Sequence, residues 1–160
     1  MRYNIKDIVT YVSKIFKWKK KYKIGITNGC FDLLHKGHTY SLKQCKNHCD
    51  KLVVLLNSDR AVRKLKGKNR PIESEKQRKK NLLKIKIVDS VIIFDEATPF
   101  KLIKILKPDF LFKGSDYRNK KVVGSKYVRS YGGKVKILKN LKGISTTKIL
   151  KNLNLSQWLL

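Results

Sequence analysis

The chain has 160 residues, 39 Lys and Arg against 11 Asp and Glu, and a formal net charge of +28. At that length one domain buries roughly two-thirds of its unfolded surface without a metal or disulfide staple, and 41% hydrophobic residues with only 9 Gly and 3 Pro exclude a disordered or collagen-like chain. No apolar run approaches the roughly eighteen residues of a membrane span, and Asp7, Lys14, Lys17 and Lys19 interrupt the first apolar stretch, which argues against a signal peptide.

Ile5, Ile8, Val9, Val12, Ile15 and Phe16 recur at helical spacing and predict an amphipathic helix over Ile5 to Trp18. A basic run to Lys23 breaks the pattern, and the apolar stretch 23–27 running into Asn28-Gly29 reads as a strand ending in a tight turn. A helix over His38 to His48 follows, then a strand over 52–56, a helix from Ser74 to Ile85 and a strand over 91–94. A helix from Pro99 to Leu106, a strand over 110–112, a helix from Val122 to Tyr131 stopped by Gly132-Gly133, and a strand over 135–138 complete the series. Strand and helix alternate, and the strands are almost continuously apolar. That rhythm predicts an α/β fold in one domain, a Rossmann-like doubly wound parallel sheet with both faces covered. The expected division is an N-terminal helix (1–20), a core (22–150) and a C-terminal tail (151–160).

Such sheets bind ligands beyond the carboxyl ends of their strands. After the first strand, His35 and His38 lie three apart at a helix start, and Gly29 and Gly37 let backbone approach a ligand closely. Imidazoles beside free helix N–H groups make a phosphate site. Two unrelated surface histidines are the bland alternative. Cys45 and Cys49, with His48 adjacent, raise zinc; the apolar stripe they form with Leu42 and the lack of a second ligand pair point to core packing instead. Three cysteines outside any disulfide framework fit a reducing, cytoplasmic setting.

Thr27-Asn28-Gly29-Cys30-Phe31-Asp32 running into His35-Lys36-Gly37-His38 resembles the HxGH motif of the nucleotidyltransferase superfamily. Asn57-Ser58-Asp59, Leu65-Lys66-Gly67, Arg70-Pro71, Arg78, Lys113-Gly114-Ser115-Asp116-Tyr117, Gly132-Gly133 and Gly143-Ile144-Ser145-Thr146-Thr147 narrow the resemblance to the heptose 1-phosphate adenylyltransferases of ADP-heptose synthesis. It runs from about Ile5 to Leu150. A sugar-kinase domain often precedes this one in that family; with 160 residues the expectation is a stand-alone transferase. Related cytidylyltransferases carry an Arg at the position of Asn140, a departure that favours adenylyl over cytidylyl transfer.

The resemblance implies AMP transfer from ATP to a sugar 1-phosphate, with a cytidylyltransferase using CTP and a phosphoalcohol as the alternative. It implies a homodimer, and Mg²⁺ brought by the nucleotide with no direct protein ligand. The acceptor is an already anionic phosphate and needs no general base. His35 and His38 are therefore expected to hydrogen-bond phosphate and transition-state charge, joined by Lys113. Nucleotide contacts fall to Thr27, Asn28, Gly29, Cys30, Phe31, Gly37, Arg78, Ser145, Thr146 and Thr147, with Arg78 reaching the phosphates as a fork or lying on a solvated lysine-rich face. Acceptor contacts fall to Asp32, Lys66 in a loop, and Asp116; loop bracing is the competing role for both aspartates. Cys30 reads as structural.

The charge itself admits a rival class, a basic nucleic-acid-binding module. Seven arginines leave 32 of the 39 cations as lysine, spread along the chain. Biased coding composition and solvated faces account for such an excess, so only weak, salt-sensitive nucleic-acid binding is expected.

Overall fold

The computed structural model describes residues 5–139 and 141. Its elements are α1 (Ile5–Lys19), β1 (Ile24–Gly29), α2 (Lys36–Lys46), β2 (Lys51–Asn57), α3 (Asp59–Lys66), α4 (Glu75–Leu83) and β3 (Ser90–Phe94). There follow α5 (Phe100–Leu106), β4 (Phe110–Gly114), a 3-10 turn (Ser115–Tyr117), α6 (Ser125–Ser130) and β5 (Lys134–Leu138). The five strands are all parallel, in the order β3-β2-β1-β4-β5. The chain winds outward from β1 through β2 to β3, then returns to lay β4 on the other side of β1. That reversal opens a crevice at the carboxyl ends of β1 and β4.

Side-chain alternation explains the continuous apolar strands. Ile24 and Ile26 of β1 and Val53 and Leu55 of β2 pack with Ile15, Ile103, Leu106 and Val128 beneath α1, α5 and α6. Leu52, Val54 and Leu56 face the other way and pack with Leu42, Cys45 and Leu82 beneath α2 and α4. With both faces covered, neither set of alternating positions can be polar. Among the described residues, no helix is long and apolar enough to cross a membrane.

Two local expectations need correcting. Helix α3 replaces the loop expected around Lys66: it is only eight residues long, with Ala61 and Val62 buried, too short for its apolar residues to establish a repeat. Its boundaries are nevertheless specified, because Ser58 Oγ accepts from the Ala61 N–H at 3.0 Å and Gly67, at φ +96°, ends it. Helix α6 begins at Ser125, three residues after the expected Val122. The expected tail (151–160), Asn140, and the Ser145, Thr146 and Thr147 cluster lie outside the described residues.

Candidate functional site

His35 is the N-cap of α2, and its Nδ1 accepts from the Gly37 N–H at 3.1 Å. His38, three residues on, returns the favour: its Nδ1 faces the His35 backbone N–H at 3.4 Å. This is a capping box made from two histidines in place of Ser and Glu. The HxGH spacing is thus a helix-start device, and it leaves a chemical residue. With Nδ1 of each ring accepting, the neutral tautomer carries its proton on Nε2, so each ring has a donor to offer a ligand. The rings stack with centroids 3.8 Å apart, and Phe31 leans on His38 at 5.2 Å. Burial, with the His35 ring and the Lys66 charge beside it, pushes His38 down to about 4, and burial lowers His35 as well. Both are neutral donors at neutral pH.

The turn from Cys30 to His35 holds two non-glycine residues in the left-handed region, Phe31 at φ +47° and Leu33 at φ +54°. Gly29 packs closely beside it: a Cβ there would stand 3.1 Å from the Phe31 ring, which would have to shift by a few tenths of an ångström. The turn is fixed from the far side of the sequence by two clasps. In one, Asp32, 1% exposed, meets Arg70 Nε at 2.7 Å and Nη2 at 2.6 Å, and accepts from the Ile72 and Glu73 N–H groups at 3.0 Å. Those bonds hold its carboxyl below the usual carboxylate range despite burial. Asp32 braces the loop, the competing role for this residue.

Arg78 forms the other clasp. It is 0% exposed, so it lies neither on a solvated face nor within reach of a ligand as the expected phosphate fork. Its Nη1 donates to Cys30 O at 2.6 Å and Asn57 O at 2.9 Å, its Nε to Glu73 O at 2.9 Å, and its Nη2 to Asp59 Oδ1 at 2.7 Å. The sequence signal missed here is that a lone arginine among surface lysines is a fork of five donors, suited to several carbonyls at once.

Across the crevice, Lys113 near the end of β4 lies 4.3 Å over the Tyr117 ring. Burial lowers its ammonium from the ordinary lysine range, with Asp116 opposing that shift. Lys66, at the end of α3, is close enough for its charge to act on both the Cys30 thiol and His38. Thr27 Oγ1 donates to Phe112 O at 3.5 Å and ties β1 to β4, while Asn28 Oδ1 is buried with no hydrogen-bond partner among the described residues. Cys30 Sγ lies 4.0 Å from Asn57 Oδ1, and burial raises its thiol, so it remains protonated as the structural reading requires. The structure thus gathers His35, His38, Lys66, Lys113, Asn28 and the Gly29–Phe31 backbone around the strand ends. An open cleft of about 630 Å³, lined by Lys36, Thr39, Tyr40, Lys43 and Leu141, runs along α2 and meets this group only at His35.

Cys45 and Cys49 are buried, and burial pushes their thiols up to about 12 and about 11. Cys49 Sγ donates to Cys45 O at 3.4 Å. They are small apolar side chains of the core.

The sequence profile of the family described as cytidylyltransferase-like matches residues 26–152, which contain the capping box, both clasps and the crevice. The chain belongs to that family of nucleotidyltransferases. Among its relatives, the bifunctional protein HldE of Paramagnetospirillum magneticum is 52% identical over 86% of this chain and 28% of its own length. HldE of Koribacter versatilis is 49% identical, again over 86% of this chain and 28% of the relative. The chain therefore spans less than a third of the length of these relatives. A crystal structure of the lipopolysaccharide core biosynthesis protein from Thermoplasma volcanium is 30% identical, with a TM-score of 0.61 over 77% of this chain and 99% of that one. The pantoate-beta-alanine ligase of Francisella tularensis, 16% identical at a TM-score of 0.55 over 91% of this chain and 76% of that one, shares the fold.

Proposed function

We propose that this chain transfers AMP from ATP to a sugar 1-phosphate, heptose 1-phosphate in the first instance, and releases pyrophosphate. The observation that carries the reaction type is the histidine capping box, which presents two neutral Nε2–H donors at the opening of a helix N-terminus. Relatives named HldE and a solved relative named for lipopolysaccharide core biosynthesis support the sugar acceptor.

An acceptor phosphate oxygen attacks the α-phosphorus of ATP, the new P–O bond forms, and the bond to the bridging α–β oxygen breaks. The electron pair leaves with pyrophosphate. The acceptor monoester is already dianionic near neutral pH, so no proton is removed. His35 and His38 donate to phosphate oxygens whose charge grows in the transition state, which lowers the barrier more than it tightens ground-state binding. Lys66 and Lys113 add positive charge on either side. Within this reading Asp32 and Arg78 hold the turn, and Asp116 acts on Lys113.

The donors gathered here are N–H groups and ammonium, which match phosphate oxygens. Among the described residues no three His, Cys, Asp or Glu side chains cluster to hold a cation. Mg²⁺ fits this set when held by the nucleotide's own oxygens and water, where it neutralises phosphate charge. A homodimer, and weak nucleic-acid binding that fades with salt, belong to the same reading.

Incubation with ATP, CTP, GTP and UTP against heptose 1-phosphate, glycerol 3-phosphate and phosphocholine, read by pyrophosphate release and product mass, tests it. ATP with the sugar phosphate gives the fastest turnover. CTP with a phosphoalcohol giving it would establish the cytidylyl alternative, which the family's description favours.

A further inference from the structure

Arg78 lies on α4, yet its donors end at the carboxyl termini of two other elements. Cys30 O follows β1 and Asn57 O closes β2, and both accept from the same Nη1 at 2.6 and 2.9 Å. A strand's terminal carbonyl has no further partner in the sheet and must be satisfied elsewhere. Here one nitrogen serves both, so the spacing of the two carbonyl oxygens is set by the angle between its two N–H bonds. The guanidinium's remaining bonds fix where that nitrogen sits: Nε to Glu73 O in the loop before α4, and Nη2 to Asp59 at the start of α3.

From Cys30 the path to the histidines is short. Phe31, held in the left-handed region, is the next residue, and its ring rests on His38. Asp32 follows, locked to Arg70 and to the N–H groups of Ile72 and Glu73. Residues 70–78 therefore grip the histidine-bearing turn at two points. One is a carboxylate that takes N–H groups from the loop, and the other a guanidinium that gives N–H groups to the turn.

We infer that Arg78 is a positioning residue, whose guanidinium holds the Cys30–His35 turn and the end of β2 in register so that His35 and His38 face the α-phosphate. It touches no ligand. The kinetic consequence rests on the adenylyl-transfer reading above, whereas the effect on the histidines does not.

The test uses Arg78→Lys and Arg78→Met, with Asp59→Ala as a milder lesion, since Asp59 is only a quarter exposed and supplies one of the four anchors. Circular dichroism first establishes the folded fraction. Histidine NMR titration of the free proteins then reads His38, and kinetics read kcat and the KM for ATP separately. Loosening the turn lets water reach the ring, so in the folded variants the His38 pKa rises from about 4 toward the ordinary 6.5. Misplacing donors by an ångström lowers kcat by about 10- to 100-fold. KM for ATP changes by less than about threefold, because phosphate contacts remain. Arg78→Lys keeps part of the activity that Arg78→Met loses, and Asp59→Ala shifts both readouts the same way by less.

Folded variants with wild-type His38 titration and wild-type kcat would show that Arg78 contributes stability alone and would overturn the inference. A large rise in KM with His38 unmoved would make it a phosphate ligand instead. If both Arg78 variants fail to fold, Asp59→Ala decides on the same readouts. A shifted His38 without ATP turnover in the wild-type protein would sink the adenylyl-transfer reading and leave the positioning of the turn standing.

Discussion

At the amino ends of the strands, carboxylates receive backbone N–H groups; at the carboxyl ends, a guanidinium supplies N–H groups to backbone carbonyls. Asp50 accepts from the Lys23 N–H at 2.8 Å, Asp109 from the Ile24 N–H at 2.7 Å, and Asp89 from the Leu52 N–H at 2.8 Å. Each aspartate immediately precedes a strand (β2, β4 and β3 in turn) and accepts a backbone N–H at or just before the start of the strand beside it. At the other end Arg78 serves Cys30 and Asn57, and the donors of His35, His38, Lys66 and Lys113 are those that the proposed reaction assigns to phosphate. The strands of a parallel sheet share one direction, so the N–H groups freed at strand starts gather at one end and the C=O groups freed at strand stops at the other. Only three of the chain's 11 acids stand at the amino end; Asp32, Asp59 and Asp95 follow strands at the carboxyl end, where Arg70, Arg78 and Arg60 pair with them.

Breaking the carboxyl end at its donors has the largest expected effect. His35→Ala or His38→Ala lowers kcat by about two to three orders of magnitude, the scale for one preorganised donor, with a smaller loss of ATP affinity. Asn or Gln at the same position, which donates but does not shuttle a proton, retains more activity than Ala. Asn and Gln as inactive as Ala, in folded protein with ATP affinity preserved, would restore a proton-transfer role.

Structural acids at the two ends sharpen the comparison. Asp32→Ala leaves the buried Arg70 guanidinium and two backbone N–H groups without their acceptor, and lowers stability by about 3–5 kcal/mol in chemical denaturation. Asp89→Asn at the amino end removes the charge that pairs with Lys46 and Lys51 and costs about 1–2 kcal/mol. Activity per folded molecule is unchanged in Asp89→Asn and reduced in Asp32→Ala. Equal losses of specific activity in both would erase the distinction between the ends.

Acid separates them by pH. His38 is held near 4 in the folded chain against 6.5 for an ordinary histidine, so below 6.5 the unfolded chain binds a proton that the folded chain does not. Stability therefore falls as pH drops from about 6.5 to about 4, by up to about 3 kcal/mol. Asp32 and Asp89 are held below the usual 3.8 by their partners, so their contribution is complete above that pH and lost as pH falls further. Two acid phases follow, and His38→Gln removes the first while leaving the second. A single phase below 4 in the wild-type protein would place His38 in water.

The sheet was legible in the sequence because a strand buried on both faces announces itself in consecutive apolar residues, as Leu52 to Leu56 do. Helix α3 was not, because eight residues are too few for Ala61, Val62 and Leu65 to recur as a face, although Ser58 and Gly67 mark its ends. The histidine pair was visible from its spacing and its place after a strand; its role as a cap, which fixes the tautomer, required coordinates. Asp32–Arg70 and Cys30–Arg78 join residues 38 and 48 apart, and nothing local in either segment names its partner. Arg78 lies among lysines that do face solvent, and only burial distinguishes it. The three aspartates that precede strands form a repeated signal that hydropathy alone passes over.

The polarity of the sheet is tested most directly by titrating isotopically labelled protein with ATP and mapping the NMR shifts. The account predicts that the His35 and His38 side chains and the backbone of Asn28, Gly29, Phe31 and Lys113 move together, while Asp50, Asp89 and Asp109 stay fixed. Shifts centred on those aspartates, or spread evenly over the lysines and abolished by salt, would contradict it.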